Sequence, residues 1–410
     1  MLPLRMANVS ACRLPHARRE RLVTSLLEWY AGNARDLPWR RTRDPYAVWI
    51  SEIMLQQTQV ATVMPYWERW MQQMPSVAAL AKARTAQLHK LWEGLGYYRR
   101  VDHLQKAARV IMKEHAGRFP RKFDEILALP GIGRYTAGAI CSIAYNLPSP
   151  ILDGNVIRVL TRIFGIGGDP REKAINRQLW ELAEVLVHNS KLKTHDSKLA
   201  CGQFNQSLME LGAMVCTPRQ PACERCPVAR LCFASREHRI AEFPTPAFRS
   251  APTARRFAAI VLNRGGRYLV RQRPRGVVNA RLWEFPNVEL AHGDRDARAA
   301  ASRLCGFRAH SLKPLCTIKH SITRYHITLD AFQVCMPRGR VRHPDVADSL
   351  MRWLPPSRLK ALAFPSAHRK ILNAIATAPA KEWACISGLD QQRILPVQTR
   401  TLKSIRIRKS

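Results

Sequence analysis

From about His16 to Glu242, apolar residues recur at three- and four-residue spacing, the period of helices that bury one face. One such run, Val48, Trp49, Ile53 and Leu55, follows Asp44-Pro45, an N-cap carboxylate with proline at the first helical position. Another runs from Phe123 to Leu129 and stops at Pro130-Gly131. No convincing strand alternation occurs in this half. The period breaks at Phe243, where Phe243-Pro244-Thr245-Pro246 leads to Pro252 and reads as a linker. Beyond Arg256 the pattern is that of strands. Phe257 to Leu262, a turn at Asn263-Arg264-Gly265-Gly266, and Tyr268-Leu269-Val270 predict a hairpin. Ile327 to Phe332 predicts a later strand, and Asp296 to Leu304 a helix. The expected division is a flexible N-terminus (1–15), an all-α domain (16–242), a linker (243–255), an α+β domain (256–375) and a basic tail (376–410).

Charge narrows the function. The 410 residues carry 66 Lys+Arg against 30 Asp+Glu, a formal net charge of +36. Such a chain repels itself unless it meets a polyanion, and neutralising phosphates releases condensed counterions. Nucleic acid is the expected partner, ahead of a membrane surface or a ribosome. No stretch reaches the roughly 20 apolar residues of a membrane helix, and Met1 to Arg21 lacks the apolar core of a secretory signal. The 11 cysteines are not a disulfide framework, because four crowd together and the rest are scattered. A reducing compartment, the bacterial cytoplasm, is expected.

Those four are Cys216, Cys223, Cys226 and Cys232, spaced C-x6-C-x2-C-x5-C. A four-cysteine zinc site is the ordinary alternative. Zinc ribbons usually use two separated C-x2-C knuckles, however, and one compact run suits a cubane [4Fe–4S] cluster better. Upstream, Leu129-Pro130-Gly131-Ile132-Gly133-Arg134-Tyr135 ends one helix, turns on two glycines and starts another (hairpin 127–140). Gly131 and Gly133 let backbone N–H groups approach a phosphate at a helix N-terminus.

Together these residues resemble the helix–hairpin–helix superfamily of base-excision DNA glycosylases, the endonuclease III-like enzymes. Within it, four segments resemble the MutY family of adenine glycosylases: Leu37-Pro38-Trp39-Arg40, Trp49 to Val60, Trp92 to Tyr98, and Asp153-Gly154-Asn155-Val156. The resemblance covers about residues 16–375. It implies hydrolysis of the N-glycosidic bond of adenine mispaired with 8-oxoguanine or guanine in double-stranded DNA, by a monomer. Glu52, among apolar neighbours, is the expected general acid, its pKa raised by its setting. Asp153 is the expected ionised partner that stabilises an oxocarbenium-like sugar. Asn155 is expected to hold Asp153 and the sugar. Bifunctional relatives carry a Schiff-base lysine where Tyr135 stands here, so the chemistry should be monofunctional. Gln57 and Tyr97, with Leu55 beside them, match the residues that fill the gap left by an extruded base. Arg40 and Gln206 are candidates for the adenine pocket.

Leu282 to Asn287 marks a C-terminal domain that resembles the Nudix fold. No glutamate occurs between Glu289 and Glu382, so nucleotide hydrolysis there is not expected and lesion recognition is. Where the family carries a Phe-Ser-His recognition loop, this chain has Ile322-Thr323-Arg324; Thr323 and Arg324 are the expected contacts. Two readings compete with this one: a thymine-mismatch or oxidised-pyrimidine glycosylase, and a non-catalytic iron–sulfur DNA-binding protein. The pair Glu52 and Asp153 argues against the second.

Overall fold

The computed structural model describes residues 15–189, 200–245, 251–290, 297–322, 324–334 and 350–377. The expected N-terminal segment up to residue 14, the tail from residue 378, and Thr323 lie outside these residues.

The first half is helical: α1 (His16–Asn33), α2 (Pro45–Leu55), α3 (Val60–Gln73), α4 (Val77–Lys82), α5 (Thr85–Leu91), α6 (Arg99–Glu114), α7 (Phe123–Leu127), α8 (Arg134–Tyr145), α9 (Gly154–Phe164), α10 (Lys173–Val187), α11 (Ala200–Met214) and the short α12 (Phe233–Arg236). Asp44 caps α2 by accepting the Tyr46 N–H, with Pro45 at the first position. Two apolar cores form. One gathers α2 to α8 around Trp49, Trp70 and Trp92. The other packs α1 against α9, α10 and α11 around Leu26, Leu160 and Phe204. The N-terminal helix therefore closes the far lobe, and a cleft runs along the seam between the cores.

The second half is α+β: β1 (Thr253–Arg264), β2 (Arg267–Gln272), β3 (Trp283–Glu284), β4 (Asn287–Leu290), α13 (Ala297–Cys305), β5 (Leu312–Ile322), β6 (Tyr325–Val334), β7 (Met351–Leu354), α14 (Pro356–Ala361) and α15 (Ser366–Thr377). The hairpin turns at Gly265 and Gly266, both at positive φ, with Arg264 opposite Arg267. β1 pairs in parallel with β6 and antiparallel with β4 and the start of β2. Its residues Ala258 to Leu262 are all buried, because both faces are covered. Ala259 and Val261 meet Phe364 and Ile371, while Ile260 and Leu262 meet Ala301 and Cys305.

The ends of the expected linker belong to the flanking domains. Phe243 is buried against Phe233 and its carbonyl accepts from Arg162. The Thr245 hydroxyl accepts the Gly168 N–H, and β1 begins at Thr253. The two domains share a seam. Leu282 and Ala363 sit in the core of the helical domain. Glu93 Oε1 accepts the Phe364 N–H at 2.9 Å and is gripped by the Arg369 guanidinium, while Lys90 reaches the Leu362 carbonyl at 3.1 Å. No helix among the described residues is long and apolar enough to cross a membrane.

Candidate active site

A cavity of about 580 Å³ opens in the seam between the helical cores, lined by Glu52, Leu55, Gln57, Tyr135, Asp153, Asn155, Arg40 and Gln206 among others. Residues more than a hundred positions apart are thus brought to one wall. α2 is apolar on every side and buried from Tyr46 to Met54, so Glu52 enters the protein with its helix. The Tyr135 hydroxyl, in the first turn of α8, donates to Glu52 Oε2 at 2.8 Å and also touches Met209 Sδ at 3.2 Å. Burial pushes the Glu52 carboxyl up to about 7, the Tyr135 hydrogen bond pulls it down, and Asp153 across the cavity raises it again.

Asp153 is the N-cap of α9. Its Oδ1 accepts the Val156 N–H at 2.7 Å and its Oδ2 accepts Asn155 Nδ2 at 3.0 Å. Burial raises its pKa and these donors oppose the rise. The helix N-terminus also favours negative charge. Of the two carboxyls, charge therefore settles on Asp153 and the proton on Glu52. Asn155 is itself fixed, because its Oδ1 accepts Arg158 Nη2 at 2.9 Å, and Arg158 also bonds the Gly212 and Cys216 carbonyls.

Arg40 faces the cavity with its donors engaged. Nη1 and Nη2 bond Glu210 at 3.1 and 2.8 Å, and Arg35 bonds the same carboxylate. Burial alone would raise the Glu210 pKa, but hydrogen bonds from the two arginines hold it at about 2. Glu210 escaped the sequence reading. Its one signal was an acid between Leu208 and Leu211 on a buried helix face. Gln206 lies on the same helix, half-buried, with its side chain on the cavity wall.

Gln57 and Tyr97 lie at the surface, both at positive φ (59° and 46°), and Tyr97 is 51% exposed. Leu55, half-buried, packs against the first core. At the hairpin, Gly131 has φ 81°, and a Cβ there would come within 2.5 Å of His103 Cβ, so only glycine fits. Gly133 is the N-cap of α8 and makes no side-chain bond, leaving first-turn N–H groups open to an anion. Ile322 ends β5 and pairs with Tyr325 at the start of β6, with Arg324 just before it. Arg324 is exposed, stacks over the Tyr325 ring at 5.2 Å and donates to its hydroxyl at 3.1 Å.

Cys216, Cys223, Cys226 and Cys232 line one small dry cavity with Leu211, Val215 and Val228. Burial pushes the Cys226 thiol up to about 12, so thiolates here need a cation to stabilise them. Arg162 supplies one charge: buried, it donates to Cys216 Sγ at 3.4 Å and to the Thr217 and Pro218 carbonyls. Among the described residues no three His, Cys, Asp or Glu side chains stand close enough to hold one metal ion. Four cysteine thiols lining one pocket match the four-thiolate donor set of a cubane cluster. The donor set fits a [4Fe–4S] cluster held by these four residues.

Comparison with known proteins bears on the same regions. Residues 50–184 match the helix–hairpin–helix superfamily of base-excision DNA repair proteins, residues 216–232 the iron–sulfur binding domain of endonuclease III, and residues 257–374 the NUDIX domain. The mouse adenine DNA glycosylase is 36% identical over 407 residues, covering 85% of this chain and 77% of that protein. The human adenine DNA glycosylase is also 36% identical, covering 85% and 73%. A solved structure of a thermostable thymine-DNA glycosylase, 33% identical, covers 54% of this chain and 98% of its own, with a TM-score of 0.48. With identity sustained across both domains, and the paired carboxyls and the four-cysteine loop in place, the chain belongs to the adenine DNA glycosylase family and is a DNA base-excision enzyme.

Proposed function

We propose that the protein hydrolyses the N-glycosidic bond of adenine opposite 8-oxoguanine, or opposite guanine, in duplex DNA, acting as a monomer. The observation that carries this reading is Glu52, buried, raised to about 7 and held by Tyr135, with Asp153 in the same cavity. A base inside a duplex cannot reach that cavity, so the adenine is extruded into it. Gln57 and Tyr97 fill the gap, and Leu55 lies beside them. The N–H groups near Gly131 and Gly133 hold a backbone phosphate.

In the cavity, Glu52 donates its proton to adenine N7. The C1′–N9 bond then breaks, and its electron pair leaves with the base. Positive charge develops on the sugar next to the Asp153 carboxylate, held in place by Asn155 and the α9 N-terminus. Water adds to C1′ and passes a proton to the Glu52 carboxylate left by the first step, which restores the acid. Tyr135 cannot form an imine, so no Schiff-base strand cleavage follows. Arg40 acts through Glu210 on the pocket wall, and Gln206 presents an amide suited to adenine N6 and N7. The iron–sulfur cluster, when bound, fixes the Cys216–Cys232 loop. Thr323 and Arg324 meet the lesion strand.

Single-turnover excision on duplexes with adenine opposite 8-oxoguanine, adenine opposite guanine and thymine opposite guanine tests the reading. Adenine release should be fastest opposite 8-oxoguanine and should vanish in Glu52→Gln without loss of DNA binding. Thymine release at a comparable rate would replace this reading with that of a thymine-mismatch enzyme.

A further inference from the structure

Arg100, near the start of α6, is a half-buried cation that pairs with no carboxylate among the described residues. Its guanidinium is committed to main-chain oxygens. Nη1 donates to the carbonyls of Ile53, Met54 and Gln56 at 2.8, 3.0 and 2.5 Å. Nη2 donates to the carbonyls of Leu95 and Gly96 at 3.0 and 3.2 Å, and more weakly to the Thr58 hydroxyl at 3.4 Å. The plane also lies 5.2 Å from the Trp92 ring and 5.8 Å from the Tyr97 ring. Burial lowers its pKa to about 10, the mark of a charge held at some cost in solvation.

The acceptors belong to two different chain segments. Ile53 and Met54 close α2, the helix that carries Glu52, and Gln56 precedes Gln57. Leu95 and Gly96 precede Tyr97. Gln57 and Tyr97 are both exposed and both in the left-handed region, a conformation that a non-glycine residue holds only when its surroundings dictate it. One planar fork, with donors at fixed angles, satisfies the last carbonyls of a helix and the turn of a second loop together.

We propose that Arg100 is a positioning residue that locks the Gln57 and Tyr97 tips into one rigid wedge and ties that wedge to the helix bearing Glu52. Side chains driven into a base stack are pushed back by the stack, and tips on independent loops would yield. Fastened through Arg100, the two advance as a unit at fixed distance from the acid, so filling the gap and presenting adenine to Glu52 become one motion. This rests on the reading of Gln57 and Tyr97 as the residues that fill the gap.

The test uses full-length Arg100→Met and Arg100→Lys beside Tyr97→Ala and Gln57→Ala, each first checked for brown colour and thermal midpoint. Extrusion is read from the fluorescence of 2-aminopurine at the target position, and excision from two duplexes. One is fully stacked; the other carries adenine opposite an abasic analogue, where extrusion is easy. Arg100→Met should lose extrusion and excision on the stacked duplex by roughly 10- to 100-fold, the scale of a misplacement of about 1 Å. It should stay within about threefold of the parent on the easy duplex, with the alkaline limb of its pH profile unmoved, since Glu52 keeps its surroundings. Equal losses on both duplexes, or a displaced alkaline limb, would mean that Arg100 serves the Glu52 pocket and not the wedge, and would overturn the inference. If Arg100→Met does not fold, Arg100→Lys decides. Its single ammonium cannot span both loops, so the same duplex-dependent defect should appear, and normal extrusion by the folded variant overturns the inference. Impaired Tyr97→Ala and Gln57→Ala with a normal Arg100→Met defeats the clamp alone, whereas normal extrusion by both alanine variants defeats the wedge reading itself.

Discussion

Replacing Glu52 by glutamine should abolish excision and, at neutral and alkaline pH, make the protein more stable. The folded cavity raises the Glu52 carboxyl from an ordinary 4.5 to about 7, mainly by burial. Between those values the native protein keeps a proton that the unfolded chain has released. Stability is therefore complete below pH 4.5 and is lost as pH rises through 7. Two to three pH units at ~1.4 kcal/mol each give about 3 kcal/mol. The cost is under ~1 kcal/mol at pH 5 and reaches its full ~3 kcal/mol by pH 8.5. Glutamine has nearly the same shape, can accept from Tyr135 and carries no charge to desolvate. The assay is denaturation of wild type and Glu52→Gln at pH steps from 5 to 8.5. Both share the cysteine loop and every other titrating group, so the difference isolates one residue. The midpoints should nearly coincide at pH 5 and separate by roughly 6–12 °C at pH 8.5, using ~2–4 °C per kcal/mol for a domain of this size. Parallel curves, or a mutant less stable in alkali, would show that the cavity does not hold Glu52 protonated and would remove the basis for its role as acid.

Activity should fall as pH rises through about 7, because Glu52 must be protonated to donate; a rate that climbs through pH 8 would contradict the assignment. Glu210→Gln should leave Arg35 and Arg40 without their shared carboxylate and cost about 3 kcal/mol, seen as a lower urea midpoint, whereas an unchanged midpoint would show the triad to be idle. Cys226→Ser should yield protein that is paler than the parent and holds well below about four irons per chain; a colourless parent with one zinc would exclude the cluster. Borohydride added during turnover should trap no appreciable protein–DNA adduct, since Tyr135 cannot form an imine, and efficient trapping would count against a monofunctional enzyme. Arg324→Ala should lower the salt slope of DNA binding by about 0.9, one phosphate's worth; an unchanged slope would free Arg324 from phosphate contact.

Much of this architecture was legible in the sequence because local rules govern it. The cap and proline at Asp44-Pro45, the two glycines at the β1–β2 turn, and the spacing of the four cysteines each announce a structure within a few residues. Glu52 stood out because a lone acid in an apolar helix needs a reason. The supporting charges were opaque. Arg158 and Arg162 reach acceptors more than fifty residues away, Arg100 reaches acceptors more than forty residues away, and Glu210 meets Arg35 across 175 positions. In a chain with 66 basic residues, nothing local separates an arginine that binds carbonyls inside the fold from one that faces phosphate. The edges of the linker were misplaced for a similar reason. Phe243 follows the last helical period in sequence but docks on Phe233, which a pattern of periods cannot show.

The seam between the domains makes one a tethered ligand of the other. Leu282 and Ala363 complete the apolar core of the helical domain, and Glu93 accepts both a backbone N–H and a guanidinium from the far side. Joined by a short linker, the β-rich module is present at an effective concentration that no added fragment could match in solution. A stop codon or a protease cut between Thr245 and Thr253 would therefore do more than delete a reader of the lesion strand. It would strip a bound partner from the catalytic half, open its core to water beside the turn that carries Tyr97, and leave Glu93 with Lys90 alone.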